Sequence, residues 1–280
     1  MHDTHAALDR LRALLGEIPG ALVAFSGGVD STLLLSVAHE IIPERIVAAT
    51  ARGLLFPSFE IDDAIAFCRE RKIRHEILEI NQIAEPDIEA NAPDRCYLCK
   101  QMMMGKLRTL AQQLDLEVVL EGGHADDADD FRPGQRALTE LGIRSPLREA
   151  GLTKPMIREL SRERSLPHWD RMSCTCYASR FPYGTPITEP DVQRVAQVEQ
   201  ALRDTGFTVY RARHYGLEVR LELAREEMTK LFSANVLATV QQVAREAGYR
   251  KLTLDLEGYR TGSLNESLAP GIVEKWKQES

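Results

Sequence analysis

Ala21-Leu22-Val23-Ala24-Phe25-Ser26-Gly27-Gly28-Val29-Asp30-Ser31, continuing as TLLLSVAHEII over 32–42, decides how the rest of the chain is read. The first five residues form a short apolar run, as a parallel strand buried on both faces requires. Residues 32–42 read as a helix. The turn between them is rich in glycine. A strand-to-helix turn of this kind points backbone N–H groups and the positive end of a helix dipole at one spot, which suits a phosphate. Gly27 and Gly28 carry no side chain to block the approach, and Ser26 and Ser31 add hydroxyl donors. The lysine of a GxxxxGK[ST] loop is missing, so this is not the ordinary nucleoside triphosphatase loop. Asp30 inside the turn would repel phosphate without a Mg²⁺ between them.

Outward from the turn, strand and helix alternate. Residues 6–16 read as an amphipathic helix, with Leu8, Leu11, Leu14 and Leu15 on one face. Strands are expected at 45–51, 75–80 and 117–121, and helices at 58–71 and 99–114. This alternation predicts an α/β fold with a parallel sheet covered on both faces. Residues 122–150 read as a polar loop carrying Gly122, Gly123, His124, Asp126 and Asp127. A helix is expected from Lys154 to Arg164, capped by Thr153, with Pro155 in its first turn. Residues 167–190 look like a long functional loop. From 190 onward the expected order is helix, two strands, two helices and a strand, a smaller α+β domain. The expected domains are residues 1–185 and 186–280.

The chain has 280 residues, 44% hydrophobic and 28% charged, with a formal charge of −7. That composition is ordinary for a globular protein. Residues 186–280 hold 13 Lys and Arg against 14 Asp and Glu, so neither part is a basic nucleic-acid module. No apolar run approaches the ~18 residues of a membrane span. The opening residues 1–5 lack the basic-then-apolar pattern of a secretory signal, and a cytoplasmic location is expected. Cysteines occur as Cys68 alone, as the pair Cys96 and Cys99, and as the pair Cys174 and Cys176. Paired cysteines without an export signal suggest metal or redox work more than structural disulfides.

The SGGVDS turn after a first strand resembles the PP-loop of the N-type ATP pyrophosphatases, over residues ~20–170. Those enzymes cleave ATP between the α and β phosphates and leave an adenylated substrate. The resemblance implies ATP on Ser26, Gly27, Gly28, Asp30 and Ser31, with Mg²⁺ at Asp30. It places adenine near the end of the second strand, around Thr50, Ala51 and Arg52. It also implies an acidic loop near the phosphates, matching Gly122 and Asp126, with Asp126 and Asp127 as further Mg²⁺ candidates. His124 stands where the family often has Asn.

The second half narrows the branch. Trp169-Asp170, then Cys176-Tyr177-Ala178-Ser179-Arg180-Phe181-Pro182-Tyr183-Gly184-Thr185, resembles the Cys-x-x-Ser-Arg-x-Pro-Tyr-Gly block of the LarE sulfur-insertion family. The likeness continues at Arg211, Arg213 and His214 and through residues 254–265 (LDLEGYRTGSLN). LarE enzymes adenylate a carboxylate of pyridinium-3,5-biscarboxylic acid mononucleotide and replace its oxygen with sulfur. They thereby make the precursor of the nickel-pincer cofactor of lactate racemase.

The residue types suit that chemistry. A carboxylate is anionic and has no good leaving group, so AMP transfer supplies one. A thiolate is the strong nucleophile that follows. Cys176 is the candidate sulfur, and Arg180 the nearby charge for its thiolate or for a developing oxyanion. Arg211 and Arg213, two apart on a strand, would share a face and could clamp a substrate phosphate. Ser179 and Glu199 join them as substrate-binding candidates. Glu199 and Glu222 are also candidates for holding the arginines or a metal.

The family shows two sulfur sources: a sacrificed cysteine at the Cys176 position, or three cysteines holding a [4Fe–4S] cluster. A Cys96-x-x-Cys99 pair on a first helical turn sends both sulfurs to one side, and the helix N-terminus favours thiolate. Adding Cys176 gives three ligands, with Cys174 as alternative. A closed zinc site or a redox disulfide are further readings, and Cys68 reads as a buried apolar residue. The alternatives from other classes are a PP-loop tRNA thiolase and a non-catalytic iron–sulfur or sulfide carrier. The expected partners are a small nucleotide substrate and further copies of the chain, with no nucleic acid and no membrane.

Overall fold

The apolar runs become strands and the amphipathic stretches become helices, in a computed structural model that describes residues 2–128, 133–172 and 174–267. Helix α1 (His2–Gly16) leads to strand β1 (Ala21–Ala24). Helix α2 (Val29–Ile41), strand β2 (Ile46–Arg52), helix α3 (Ser58–Arg71) and strand β3 (Arg74–Glu79) follow. Short α4 (Pro86–Glu89) precedes long α5 (Arg95–Gln113) and strand β4 (Val118–Leu120). Next come α6 (Pro133–Glu140), α7 (Pro146–Glu149) and α8 (Lys154–Glu163). The chain continues through α9 (Glu189–Asp204), β5 (Tyr210–Tyr215), β6 (Glu218–Leu223), α10 (Met228–Leu231), α11 (Ala234–Glu246) and β7 (Lys251–Leu254).

Two compact units share these elements. The first gathers the described residues up to Ile80 and those from Cys96 to Cys174. Its sheet has the order β3-β2-β1-β4, parallel throughout. The period of two explains why β1 and β2 are apolar at every inner position. Ala21, Val23, Ile46 and Ala48 pack on one face with Leu11, Leu15, Leu33, Leu34 and Ile157 from α1, α2 and α8. Leu22, Val47 and Ala49 face the other way, toward Met104, Leu107 and Leu138 of α5 and α6. Burying each Val or Leu side chain contributes ~1.5–3 kcal/mol. The chain runs from β1 to β2 on one side and returns to β4 on the other. The carboxyl ends of β1 and β4 therefore flank the crevice where open α/β sheets bind ligands.

Three elements of this unit differ from the expectation. Helix α5 starts at Arg95 rather than 99, so Cys96 lies in its first turn and Cys99 one turn further on. The stretch 122–150 contains α6 and α7 rather than loop alone, and a bridge pairs Arg144 with Leu120 beside β4; residues 129–132 lie outside the described residues. Thr153 does occupy the N-cap of α8, but its hydroxyl makes no capping bond.

The second unit is discontinuous. It takes residues 81–95 from the first half and begins again at Thr175, so the expected break after residue 185 falls inside it. Its sheet has the order β5-β6-β7, with β5 and β6 antiparallel and β6 and β7 parallel. Backbone bonds tie the early segment in: Ile187 N–H donates to Glu89 O at 2.7 Å and Gly184 N–H to Asn91 O at 3.0 Å. Among the described residues, no helix is long and apolar enough to cross a membrane.

Candidate functional site

In the first unit the loop 26–31 is shaped by its own hydroxyls. Ser31 Oγ donates to Gly28 O at 3.1 Å and accepts from Ser26 N–H at 3.3 Å. Ser26 Oγ lies 3.1 Å from Ser31 Oγ and accepts from Gly28 N–H at 3.3 Å. Gly28 is the N-cap of α2 and no side chain caps the helix. Gly27 has φ +75°, and a Cβ there would lie 2.9 Å from Glu60 O. Gly122, just past β4, is as tightly set, since its Cβ would come 3.0 Å from Ser31 N. The loops after β1 and β4 thus meet backbone to backbone. An uncapped helix start, two hydroxyls and a backbone without Cβ atoms form a donor set that fits a phosphate.

Asp30 is not alone in this loop. Lys154 Nζ donates to both of its carboxylate oxygens, each at 2.6 Å. The loop carries no lysine of its own, and α8 brings one to it from 124 positions away. Its signal is a lysine in a first helical turn, against the helix dipole. Asp126 accepts the Lys154 backbone N–H at 2.7 Å, giving α8 the cap that Thr153 does not. Asp127 is 5% exposed and accepts His124 N–H at 3.0 Å, and the His124 ring lies 3.6 Å from Asp127 and 3.7 Å from Asp126. Both further Mg²⁺ candidates, Asp126 and Asp127, therefore also hold backbone.

The expected adenine region is tightly bonded. Thr50 donates its hydroxyl to Phe25 O at 2.7 Å, so it accepts from His75 Nε2 at 2.8 Å. That assigns the ring proton to Nε2. Burial holds the His75 pKa below the usual histidine value. Ala51, next along β2, is half-buried.

Cys96 is exposed and Cys99 half-buried, one turn apart on α5 in the first unit. Cys174 also belongs to the first unit and Cys176 to the second. Paired thiolates suit iron; among the described residues no three His, Cys, Asp or Glu side chains are gathered to hold a metal ion. Cys68 is 1% exposed in α3, and burial pushes its thiol up to about 12.

In the second unit the Cys176 segment is braced by a buried ion pair. Arg180 is 0% and Glu199 4% exposed. Arg180 Nε and Nη2 donate to the two Glu199 oxygens, each at 2.8 Å. Its Nη1 reaches Thr175 O at 2.7 Å, Cys176 O at 3.0 Å and Ser179 Oγ at 2.9 Å. Ser179 Oγ also donates to Cys176 O at 3.0 Å. The guanidinium therefore fixes the backbone on both sides of a half-buried thiol. Arg211 and Arg213 sit on β5, 6% and 5% exposed, so they are not surface charges. Arg213 donates to Glu222 at 2.7 Å and to Ser179 O, while Arg211 lies over the Tyr259 ring at 4.9 Å. Glu222 is 2% exposed. Both glutamates hold arginines, Glu199 through Arg180 and Glu222 through Arg213.

Comparison with known proteins adds relatives of nearly full length. The chain is 39% identical to an uncharacterized protein of Synechocystis over 261 residues, 93% of this chain and 97% of the relative. It is 33% identical to the pyridinium-3,5-bisthiocarboxylic acid mononucleotide synthase of Lactiplantibacillus plantarum over 259 residues, 92% and 93% of the two chains. An uncharacterized protein of Methanocaldococcus jannaschii is 27% identical over 240 residues, 86% and 90%. No protein-family model matches the chain.

Proposed function

The chain belongs to the LarE family of pyridinium-3,5-bisthiocarboxylic acid mononucleotide synthases, and from that premise we propose that it is an ATP-dependent sulfur-inserting enzyme. Its substrate in this reading is pyridinium-3,5-biscarboxylic acid mononucleotide, on the route to a nickel-pincer cofactor. A substrate carboxylate oxygen attacks the α-phosphorus of ATP, and pyrophosphate leaves. The carboxyl carbon, now bonded to AMP, accepts a sulfur nucleophile; the C–O bond to AMP breaks and a C–S bond replaces it.

The loop 26–31 receives the phosphates, with Asp30 and Asp126 as the ligands for Mg²⁺. That ion would screen the charge of the phosphates from Asp30. Arg180 holds the Cys176 backbone, acting as a positioning residue. Ser179, Arg211 and Arg213 bind the nucleotide substrate. Where Cys176 is the donor, its thiolate forms a thioester. Loss of the Cα proton and cleavage of the Cβ–S bond then release the thiocarboxylate and leave dehydroalanine. In the alternative, Cys96, Cys99 and Cys176 (or Cys174) would hold a [4Fe–4S] cluster, which would supply sulfide from outside the chain.

The observation that carries the reading is the buried Arg180–Glu199 brace on a half-buried cysteine, in a chain that also has a phosphate-type loop. The test is anaerobic incubation of the purified chain with ATP, Mg²⁺ and the dicarboxylate mononucleotide. Pyrophosphate release and a thiolated product are expected. Cys176→Ala should keep pyrophosphate release and lose the thiolated product. Absence of pyrophosphate with the wild type would sink the reading. About four irons per chain would assign the sulfur to a cluster. No iron, with a protein mass lower by one hydrogen sulfide, would assign it to Cys176.

A further inference from the structure

Arg180 and Arg213 in the second unit each have a buried glutamate. Arg95 does not. It is 3% exposed, its Nε and Nη1 have no hydrogen-bond partner, and it makes no ion pair among the described residues. Its guanidinium lies over the Tyr183 ring, 4.3 Å from the centroid. That ring covers one face of the charge, and the buried Nε and Nη1 are left without an acceptor. A guanidinium cannot shed its proton, and an uncompensated buried charge is strongly unfavourable. Water can satisfy its N–H groups but cannot cancel the charge. An anion can do both.

The surroundings are built and polar. Asn91 is 0% exposed and held at φ 57°. Its Nδ2 donates to Pro182 O at 2.8 Å and Phe181 O at 3.3 Å, which fixes the residue before Tyr183. Its Oδ1 is buried with no partner. Gln82, on the same segment, is 0% exposed with both amide atoms unpartnered. Residues 81–95 thus bring three buried polar side chains into the second unit with donors or acceptors unmatched.

We propose that Arg95 anchors an anion site in the second unit, and that its ligand is the oxyanion of a small molecule, a carboxylate or a phosphate. The guanidinium fork matches either group. Asn91 supplies an acceptor for a hydroxyl or amide of the same ligand. The site needs neither ATP nor sulfur, so it stands apart from the sulfur-transfer reading.

Thermal unfolding of the full chain tests it, with inorganic phosphate and pyridine-3,5-dicarboxylate as probes. Sodium chloride at equal ionic strength is the control. The wild type should gain about 2–4 °C with at least one probe and not with chloride. A gain with phosphate alone makes the ligand group a phosphate; a gain with the dicarboxylate alone makes it a carboxylate. Arg95→Met should lose most of the gain and, without probe, melt no lower than the wild type, because it removes an unpaired charge. Arg95→Lys keeps the charge and loses the fork; by calorimetry it should bind the same probe about tenfold more weakly. This second variant keeps the test decisive if Arg95→Met does not fold. No gain with either probe in the wild type would overturn the proposal, as would an equal gain in Arg95→Met or unchanged binding in Arg95→Lys. Failure of the sulfur-transfer reading shows separately, as no pyrophosphate from ATP.

Discussion

Lys154 sets the charge of the loop 26–31, where the proposed function puts the phosphates of ATP. Its ammonium neutralises Asp30 at 2.6 Å, so the loop 26–31 is not left with a bare carboxylate. Lys154→Met removes that compensation. Hydrogen bonds to charged groups contribute ~1.5–3 kcal/mol, about ten- to a hundredfold in affinity. ATP binding in EDTA should weaken by that factor in the variant, and excess Mg²⁺ should restore most of it. Equilibrium binding of a fluorescent ATP analogue, with and without Mg²⁺, reads both numbers. Equal affinity of wild type and variant in EDTA would remove Lys154 from the phosphate site. The loop was legible in the sequence because Ser26, Gly28 and Ser31 make their contacts with one another. Lys154 acts across 124 positions, and Arg95 is notable for a partner it lacks. Neither property leaves a local pattern.

Strands and helices were legible for the same reason of locality. The apolar runs of β1 and β2 are long enough to be buried on both faces, and the structure buries them so. What the pattern could not reveal is how closely two loops approach. Gly27 and Gly122 look alike as turn glycines but are tight for different reasons. Gly27→Ala places a Cβ at φ +75° and 2.9 Å from Glu60 O. The left-handed backbone alone costs ~1–2 kcal/mol, so urea unfolding should show at least that loss. Gly122 has no positive φ; its Cβ would press on Ser31 N at 3.0 Å. Gly122→Ala should change stability less than Gly27→Ala and weaken ATP binding more than it weakens the fold. A Gly122→Ala protein that binds ATP as the wild type does would show that the β4 loop can yield. The cap of α8 teaches the same lesson: Thr153 fits the pattern of a capping residue, yet Asp126 makes the bond, from 28 positions away.

Across the whole molecule, the segment 81–95 shows what a linear reading misses. It precedes α5 in sequence, yet it folds with residues that begin at 175. Each unit also holds a histidine against its protonation, half-buried His75 in the first and buried His214 in the second. In the first, His75 faces Thr50, Phe25 and Glu76; burial lowers its pKa more than Glu76 raises it. In the second, His214 faces Tyr249, Phe181, Asp191 and Arg194; burial again outweighs the pull of Asp191. The unfolded chain, with ordinary histidines near ~6.5, takes up protons first as the pH falls. The stability from keeping these rings neutral is therefore fully present above about pH 6.5 and declines below it, down to the lowered folded pKa values. Unfolding midpoints in urea should be flat from about pH 8 to 7 and fall between about pH 6.5 and 5, above the ordinary carboxylate range near ~4. His75→Gln keeps a group able to donate to Thr50 and should remove part of that slope. Adding His214→Gln should remove more, since the two residues lie in different units and their effects should add. An unchanged slope in the double variant would place the acid sensitivity elsewhere. A flattened slope would make these two rings the reason the fold loosens below neutral pH.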